Sequence, residues 1–176
     1  MFKQTNIDGT YIIESPKASD DRGFFLKAFD MDKFKEQGLE STIVQLNLSH
    51  NNSKGTIRGL HYQTEPAGEA KIMRCIRGSI FFAVVDMRKD SPTYLQWEGF
   101  TLSEENHLMV YVPKECATGY QALEDNSQAL YSSSNTYVPN NENGVRYNDP
   151  RIGIDWPMKD TVVVSEKDLQ WEDIQV

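Results

Sequence analysis

The sequence predicts an all-β sandwich or barrel with a few short helices, and three observations predict it. Ten short segments read as extended. Gly, Pro, Asn and Asp punctuate the chain at short intervals, and no long amphipathic helical stretch comes between the segments. In chain order the extended segments are 11–14, 23–29, 42–49, 59–63, 71–77, 79–88, 94–102, 108–112, 119–123 and 128–137. After the second comes a short helix, Asp30 to Gly38, with Asp30 as N-cap and Gly38 at the C′ position. Around Arg77-Gly78-Ser79 the run KIMRCIRGSIFFAVVDMR turns, and from Ile80 to Val85 it is apolar on both alternating faces. That pattern predicts a hairpin at the centre of a barrel, covered inside and out. A second helical turn starts at Ser165.

The chain has 176 residues, close to the length of one domain of roughly 150 residues, and neither a repeat nor a low-complexity linker divides it. Its 18 basic and 26 acidic side chains leave a net charge of −8, with the acids dispersed, which argues against nucleic-acid binding. No 18-residue apolar run predicts a membrane span, and the first residues lack a charged segment followed by an apolar one, so a soluble cytoplasmic chain is expected. Cys75 and Cys116 are too few for a disulfide framework and are expected to be reduced thiols.

Few residues can carry chemistry. His50, His61 and His107 form no H-x-H or H-x-x-x-H pair, so no metal site is expected, and phosphate-binding glycine loops are absent. In Arg58-Gly59-Leu60-His61-Tyr62-Gln63 a regular strand sets Arg58, Leu60 and Tyr62 on one face and Gly59, His61 and Gln63 on the other. His61 is then either a general base facing a barrel interior or a hydrogen-bonded core histidine. Lys71 opens the next strand and is either solvated or part of the same cavity mouth. Tyr131 lies in a strand with small hydroxyl residues, where tyrosines commonly pack. Asp168, in Ser165-Glu166-Lys167-Asp168, fits the N3 position of a capping box.

Taken together, several stretches resemble the cupin-fold nucleotide-sugar 3,5-epimerases. They are Asp21-Arg22-Gly23-Phe24-Phe25, Val44-Gln45-Leu46-Asn47, Ile57-Arg58-Gly59-Leu60-His61-Tyr62-Gln63, Ser91-Pro92-Thr93-Tyr94-Leu95-Gln96-Trp97, Leu102-Ser103-Glu104-Glu105-Asn106, Tyr147-Asn148-Asp149-Pro150 followed by Ile152-Gly153-Ile154-Asp155-Trp156-Pro157, and Ser165-Glu166-Lys167-Asp168. The resemblance implies a double-stranded β-helix (a cupin, or jelly-roll, barrel) and a homodimer that exchanges N-terminal strands. It implies action without metal or organic cofactor on a nucleoside-diphosphate 4-keto-6-deoxyhexose in deoxysugar biosynthesis. In such a sugar the C4 ketone acidifies the hydrogens at C3 and C5, and reprotonation of an enolate on the opposite face inverts a centre. By resemblance His61 is the base and Asp168 its orienting partner, Lys71 stabilises the enolate oxygen, and Tyr131 returns a proton from the other face. Arg22 and Arg58 match diphosphate-binding arginines, Gln45 and Asn47 match positions that reach the nucleotide, and Tyr137 matches an aromatic beside base or sugar. Arg22 and Phe25 are expected to act across a subunit boundary, and Arg22, Arg58, Lys71 and Arg74 to make the pocket locally positive.

The chain also departs from the family pattern. Thr118 stands where a second pocket histidine is usual, Phe82 where an aspartate is common, and Lys27 where a glutamate is usual. Such changes imply an altered substrate or number of inverted centres, with Thr118 still at the substrate. A single-centre epimerase, a 3,4-ketoisomerase and a non-catalytic sugar-nucleotide-binding cupin are the alternatives.

Overall fold

The computed structural model describes residues 1–174. In chain order the elements are β1 (Phe2–Gln4), β2 (Tyr11–Ile13), β3 (Lys17–Asp20), β4 (Gly23–Leu26), α1 (Met31–Glu36), β5 (Gln45–Asn51), β6 (Thr56–Gln63) and β7 (Lys71–Arg77). They continue with β8 (Ser79–Asp86), β9 (Trp97–Ser103), β10 (Met109–Val112), β11 (Cys116–Ala122), β12 (Ser127–Ser133), β13 (Glu142–Gly144), β14 (Val163–Val164) and α2 (Glu166–Leu169). One six-stranded sheet runs β1-β2-β10-β7-β12-β5. A second runs β13-β6-β11-β8-β9, with β14 pairing β6, and β3-β4 form a separate hairpin. Apart from β14 against β6, every pairing is antiparallel. The predicted cupin-type jelly roll is the fold observed.

The stretch from Lys71 to Asp86 is not the hairpin that the sequence predicts. Although Gly78 takes a left-handed φ of 66° between them, β7 pairs with β10 and β12 in one sheet and β8 with β9 and β11 in the other. The turn is therefore a corner between sheets, as a jelly roll requires. Burial on both faces of β8 is as expected. Ile80, Phe82 and Val84 join the core between the sheets, while Ala83 and Val85 join a second cluster with Val145, Ile152 and Trp156.

Helix α1 begins after Asp30 and ends before Gly38, whose φ of 71° closes it as expected. The Asp30 side chain makes no cap bond and pairs with Lys27 instead. Phe34 anchors α1 on the first sheet against Phe2, Phe29 and Tyr111, a burial worth about 2 kcal/mol. Strand β5 reverses the usual polarity. Leu46 and Leu48 are exposed at 64% and 59%, while Gln45, Asn47 and Ser49 turn inward, so the first sheet shows its polar side to the cavity.

Candidate active site

Strand register delivers the site in rows. On the first sheet Gln45, Ser133 and Lys71 lie abreast on β5, β12 and β7, followed by Asn47, Tyr131 and Met73. On the second sheet Thr118 of β11 lies opposite His61 of β6, and Tyr120 lies between Arg58 and Phe82. A chamber of about 280 Å³ is lined by Lys71, Met73 and Tyr131 of the first sheet and by Arg58, His61, Phe82, Thr118 and Tyr120 of the second, together with Lys167 and Asp168 of α2. An adjoining mouth of about 370 Å³ is lined by Gln45, Asn47, Glu69, Tyr137 and Glu142 among others, and the two cavities share His61, Lys71 and Tyr131. His61 and Tyr131 thus come from opposite sheets.

The strand carrying His61 is irregular where it matters. Gly59 has a φ of 106°, and a Cβ there would lie 2.5 Å from the Thr118 carbonyl oxygen and 2.7 Å from the Gly119 Cα, so only glycine fits. The β6–β11 register shifts at this point, between Thr118 and Tyr120. Two consequences follow. Arg58 and His61 line the same chamber while Ile57 and Leu60 share one core cluster, which corrects the expectation that Arg58 faces away from His61. The Gly59 N–H, released from the ladder, donates to Asp168 Oδ2 at 3.2 Å.

Asp168 is buried, and its Oδ1 lies 2.6 Å from His61 Nε2. An ionised carboxylate only accepts, so Nε2 carries the proton and the Nδ1 lone pair is left available as a base. Burial pushes the Asp168 carboxyl up. The bonds from His61 and the Gly59 and Ser165 groups outweigh it and hold the carboxyl below the ordinary carboxylate range. The capping expectation is half met. Ser165 Oγ accepts the Asp168 N–H at 3.1 Å, but the Asp168 side chain leaves its own helix for His61.

Lys71 Nζ lies 3.1 Å from Glu69 Oε1, 3.4 Å from the His61 carbonyl oxygen and 3.5 Å from Thr118 Oγ1. Tyr131 points its phenol into the cavity, and burial, reinforced by Tyr120 and Glu69, raises its pKa above the usual value, which keeps it a neutral proton donor. Arg58 donates to Asn51 Oδ1 at 2.9 Å and to the His50 carbonyl at 3.1 Å, which fixes the guanidinium at the rim. Asn51 in turn accepts from the Tyr120 hydroxyl at 3.2 Å.

Gln45, Asn47 and Tyr137 line the mouth, and Thr118 lines the chamber. Arg22 and Phe25 do not reach either cavity. Both belong to the β3-β4 hairpin, where Phe25 is 72% exposed and Arg22 pairs with Asp20 at 2.6 Å. Arg74 is not a pocket residue. Lys71 and Met73 line the cavity, so strand alternation turns Arg74 to the outer face of the sheet beside Leu130 and Met109. Glu69, Glu142 and Lys167 were not anticipated from sequence. Glu142 accepts from Lys167 at 2.6 Å and from the Tyr137 hydroxyl at 2.6 Å, closing one side of the mouth. Lys167 adjoins Asp168, and that adjacency was the available signal. Among the described residues no group of three His, Cys, Asp or Glu side chains could hold a metal ion, and no helix is long and apolar enough to cross a membrane.

Comparison with known proteins brings out one family. The family model described as dTDP-4-dehydrorhamnose 3,5-epimerase matches residues 4–175. A dTDP-4-dehydrorhamnose 3,5-epimerase of Methanothermobacter thermautotrophicus is 41% identical over 99% of this chain and 94% of its own length. A dTDP-4-dehydrorhamnose 3-epimerase of Streptomyces niveus is 39% identical over 89% of this chain and 75% of its own. The crystal structure of a dTDP-6-deoxy-D-glucose-3,5-epimerase of Legionella pneumophila, in complex with dTDP-4-keto-L-rhamnose, superimposes with a TM-score of 0.91 at 36% identity. The match covers 96% of this chain and 89% of that one.

Proposed function

This chain belongs to the dTDP-4-dehydrorhamnose 3,5-epimerase family, and from that premise we propose how its own residues perform the reaction. It is an epimerase of deoxysugar biosynthesis that inverts carbon next to the C4 ketone of a nucleoside-diphosphate 4-keto-6-deoxyhexose. His61 Nδ1 takes the proton from the carbon beside the ketone. Asp168 holds the ring in the required tautomer and stabilises the imidazolium that forms. Lys71 sets a positive charge at the developing enolate oxygen. Tyr131 gives a proton from the other side of the sugar, which inverts the centre. The observation that carries this reading is the origin of His61 and Tyr131 on opposite sheets of one chamber, with Lys71 lining the same space.

Arg58 receives the diphosphate as a fixed, delocalised cation, and Gln45, Asn47 and Tyr137 receive the nucleoside at the mouth. Inversion of both C3 and C5 is the first reading. A single-centre epimerase is the second, favoured by the apolar wall that buried Phe82 and Met73 form beside Thr118. Incubation with dTDP-4-keto-6-deoxyglucose in deuterated water, followed by NMR, separates them. Label at C3 and C5 supports the double epimerase, label at one carbon supports the single-centre enzyme, and absence of label contradicts both for this substrate.

The protein is further proposed to act as a homodimer in the cytoplasm, where the buried thiols of Cys75 and Cys116 stay reduced. Support for the dimer comes from exposed Leu46 and Leu48 on the sheet edge and exposed Phe24 and Phe25 on the hairpin, an apolar surface suited to a second copy. In the dimer Arg22 and Phe25 reach the partner's site. A monomeric mass in solution would contradict this.

A further inference from the structure

The cavity pairs each of its acids with a base: Asp168 with His61, Glu142 with Lys167 and Glu69 with Lys71. The first two pairs bring together residues far apart in sequence. The third joins Lys71, the first residue of β7, to Glu69 in the loop two residues before it, and both side chains are largely buried, at 9% exposed for Glu69 and 12% for Lys71. A buried carboxylate and ammonium are tolerated only where each finds compensation. Glu69 finds it twice, since its second oxygen accepts from the hydroxyl of Ser133, the residue abreast of Lys71 on β12.

We infer that Glu69 is a positioning residue for the reaction, holding the Lys71 ammonium at the place where the enolate oxygen forms; this rests on the role proposed above for Lys71. An ammonium has three N–H donors on a flexible four-carbon stem. Here the ammonium meets one charged partner and two neutral acceptors. The carboxylate of Glu69, ion-paired at 3.1 Å, is the anchor, whereas the His61 carbonyl at 3.4 Å and Thr118 Oγ1 at 3.5 Å accept at the long limit of hydrogen bonding. These two long bonds are the ones the ammonium exchanges for a nearer sugar oxygen. The anchor stays in place while it does so, because Ser133 fixes the Glu69 carboxylate from behind. The remaining acids of the cavity are committed elsewhere, Asp168 to His61 and Gly59 and Glu142 to Lys167 and Tyr137, so Glu69 alone serves Lys71 among the described residues.

The test is a double-mutant cycle in kcat for epimerisation of dTDP-4-keto-6-deoxyglucose, read as deuterium uptake, on Glu69→Ala, Lys71→Met and the double variant. Loosening the lysine is expected to lower kcat on the order of 10- to 100-fold in Glu69→Ala with KM within about threefold, as misplacement of a catalytic group by an ångström does. In the Lys71→Met background, removal of Glu69 is expected to cost nothing further, because its effect passes through the lysine. Wild-type kcat in Glu69→Ala, or an equal loss in both backgrounds, would overturn the inference while leaving the Lys71 role intact. Wild-type kcat in Lys71→Met would overturn the Lys71 role itself and the inference with it. If thermal melting shows Glu69→Ala unfolded, Glu69→Gln takes its place in the same cycle, with a smaller loss expected in the native background and again none in the Lys71→Met background.

Discussion

Two buried aspartates show how this protein separates holding a structure from doing chemistry. Asp86 closes β8, and all its side-chain partners lie within seven residues: Arg88 at 2.7 and 2.8 Å, Ser91, and Thr93 at 2.7 Å. Asp168 instead reaches across the chain to His61, 107 residues away, and to the Gly59 N–H. Both carboxyls are held below the ordinary range against the upward push of burial. The partner makes the difference. A guanidinium never gives up its proton, so the Asp86 cluster can only hold the 87–95 loop in place. The imidazole facing Asp168 keeps one nitrogen open to a cavity and can take a proton there.

Three experiments would sharpen or break that contrast, and the largest effect belongs to Asp168. Asp168→Asn keeps an acceptor for Gly59 but removes the charge that supports the imidazolium, so kcat is expected to fall on the order of 10³- to 10⁴-fold, as for other acid-oriented histidines, with the melting temperature nearly unchanged. Asp86→Ala reverses the pattern. It leaves the half-buried Arg88 guanidinium without its carboxylate clamp, holding only the Asp8 carbonyl at 2.7 Å and the Asp8 carboxylate at 4.0 Å, and is expected to cost about 3 kcal/mol in denaturant unfolding, while kcat per folded molecule stays close to wild type. The smallest effect is the acid limb of stability. The Asp86 carboxyl is lowered from 3.8 to about 2, so its contribution is complete above pH 4 and is lost as pH falls through about 2. Unfolding between pH 5 and pH 2 should show a loss of about 2 kcal/mol that Asp86→Ala lacks, and an identical slope in the variant would break the account.

The sequence made the strand-rich architecture legible because its punctuation is dense, and it made His61, Lys71, Tyr131 and Asp168 legible through motifs they share with a family. Other features depend on geometry that local pattern does not carry. The corner at Gly78 looks like a hairpin, since a turn between apolar strands reads alike whether its strands pair or part. Strict alternation put Arg58 on the wrong face because the left-handed Gly59 interrupts it. Glu69 sits in a Gly-Glu-Ala loop with no periodicity, so nothing marked it until the fold brought Ser133 and Lys71 to its carboxylate. The outward position of Arg74 is legible in the sequence, since its odd spacing from Lys71 and Met73 turns it to the opposite face of β7.

The central claim is that His61 removes a proton on one face of the sugar and Tyr131 supplies one on the other. Deuterium uptake and inversion, measured together on dTDP-4-keto-6-deoxyglucose for the native protein, His61→Ala and Tyr131→Phe, test it most directly. The account predicts uptake with inversion in the native protein, neither in His61→Ala, and uptake without inversion in Tyr131→Phe, since His61 can return a solvent deuteron to the face it came from. Uptake at the native rate in His61→Ala, or full inversion in Tyr131→Phe, would contradict it.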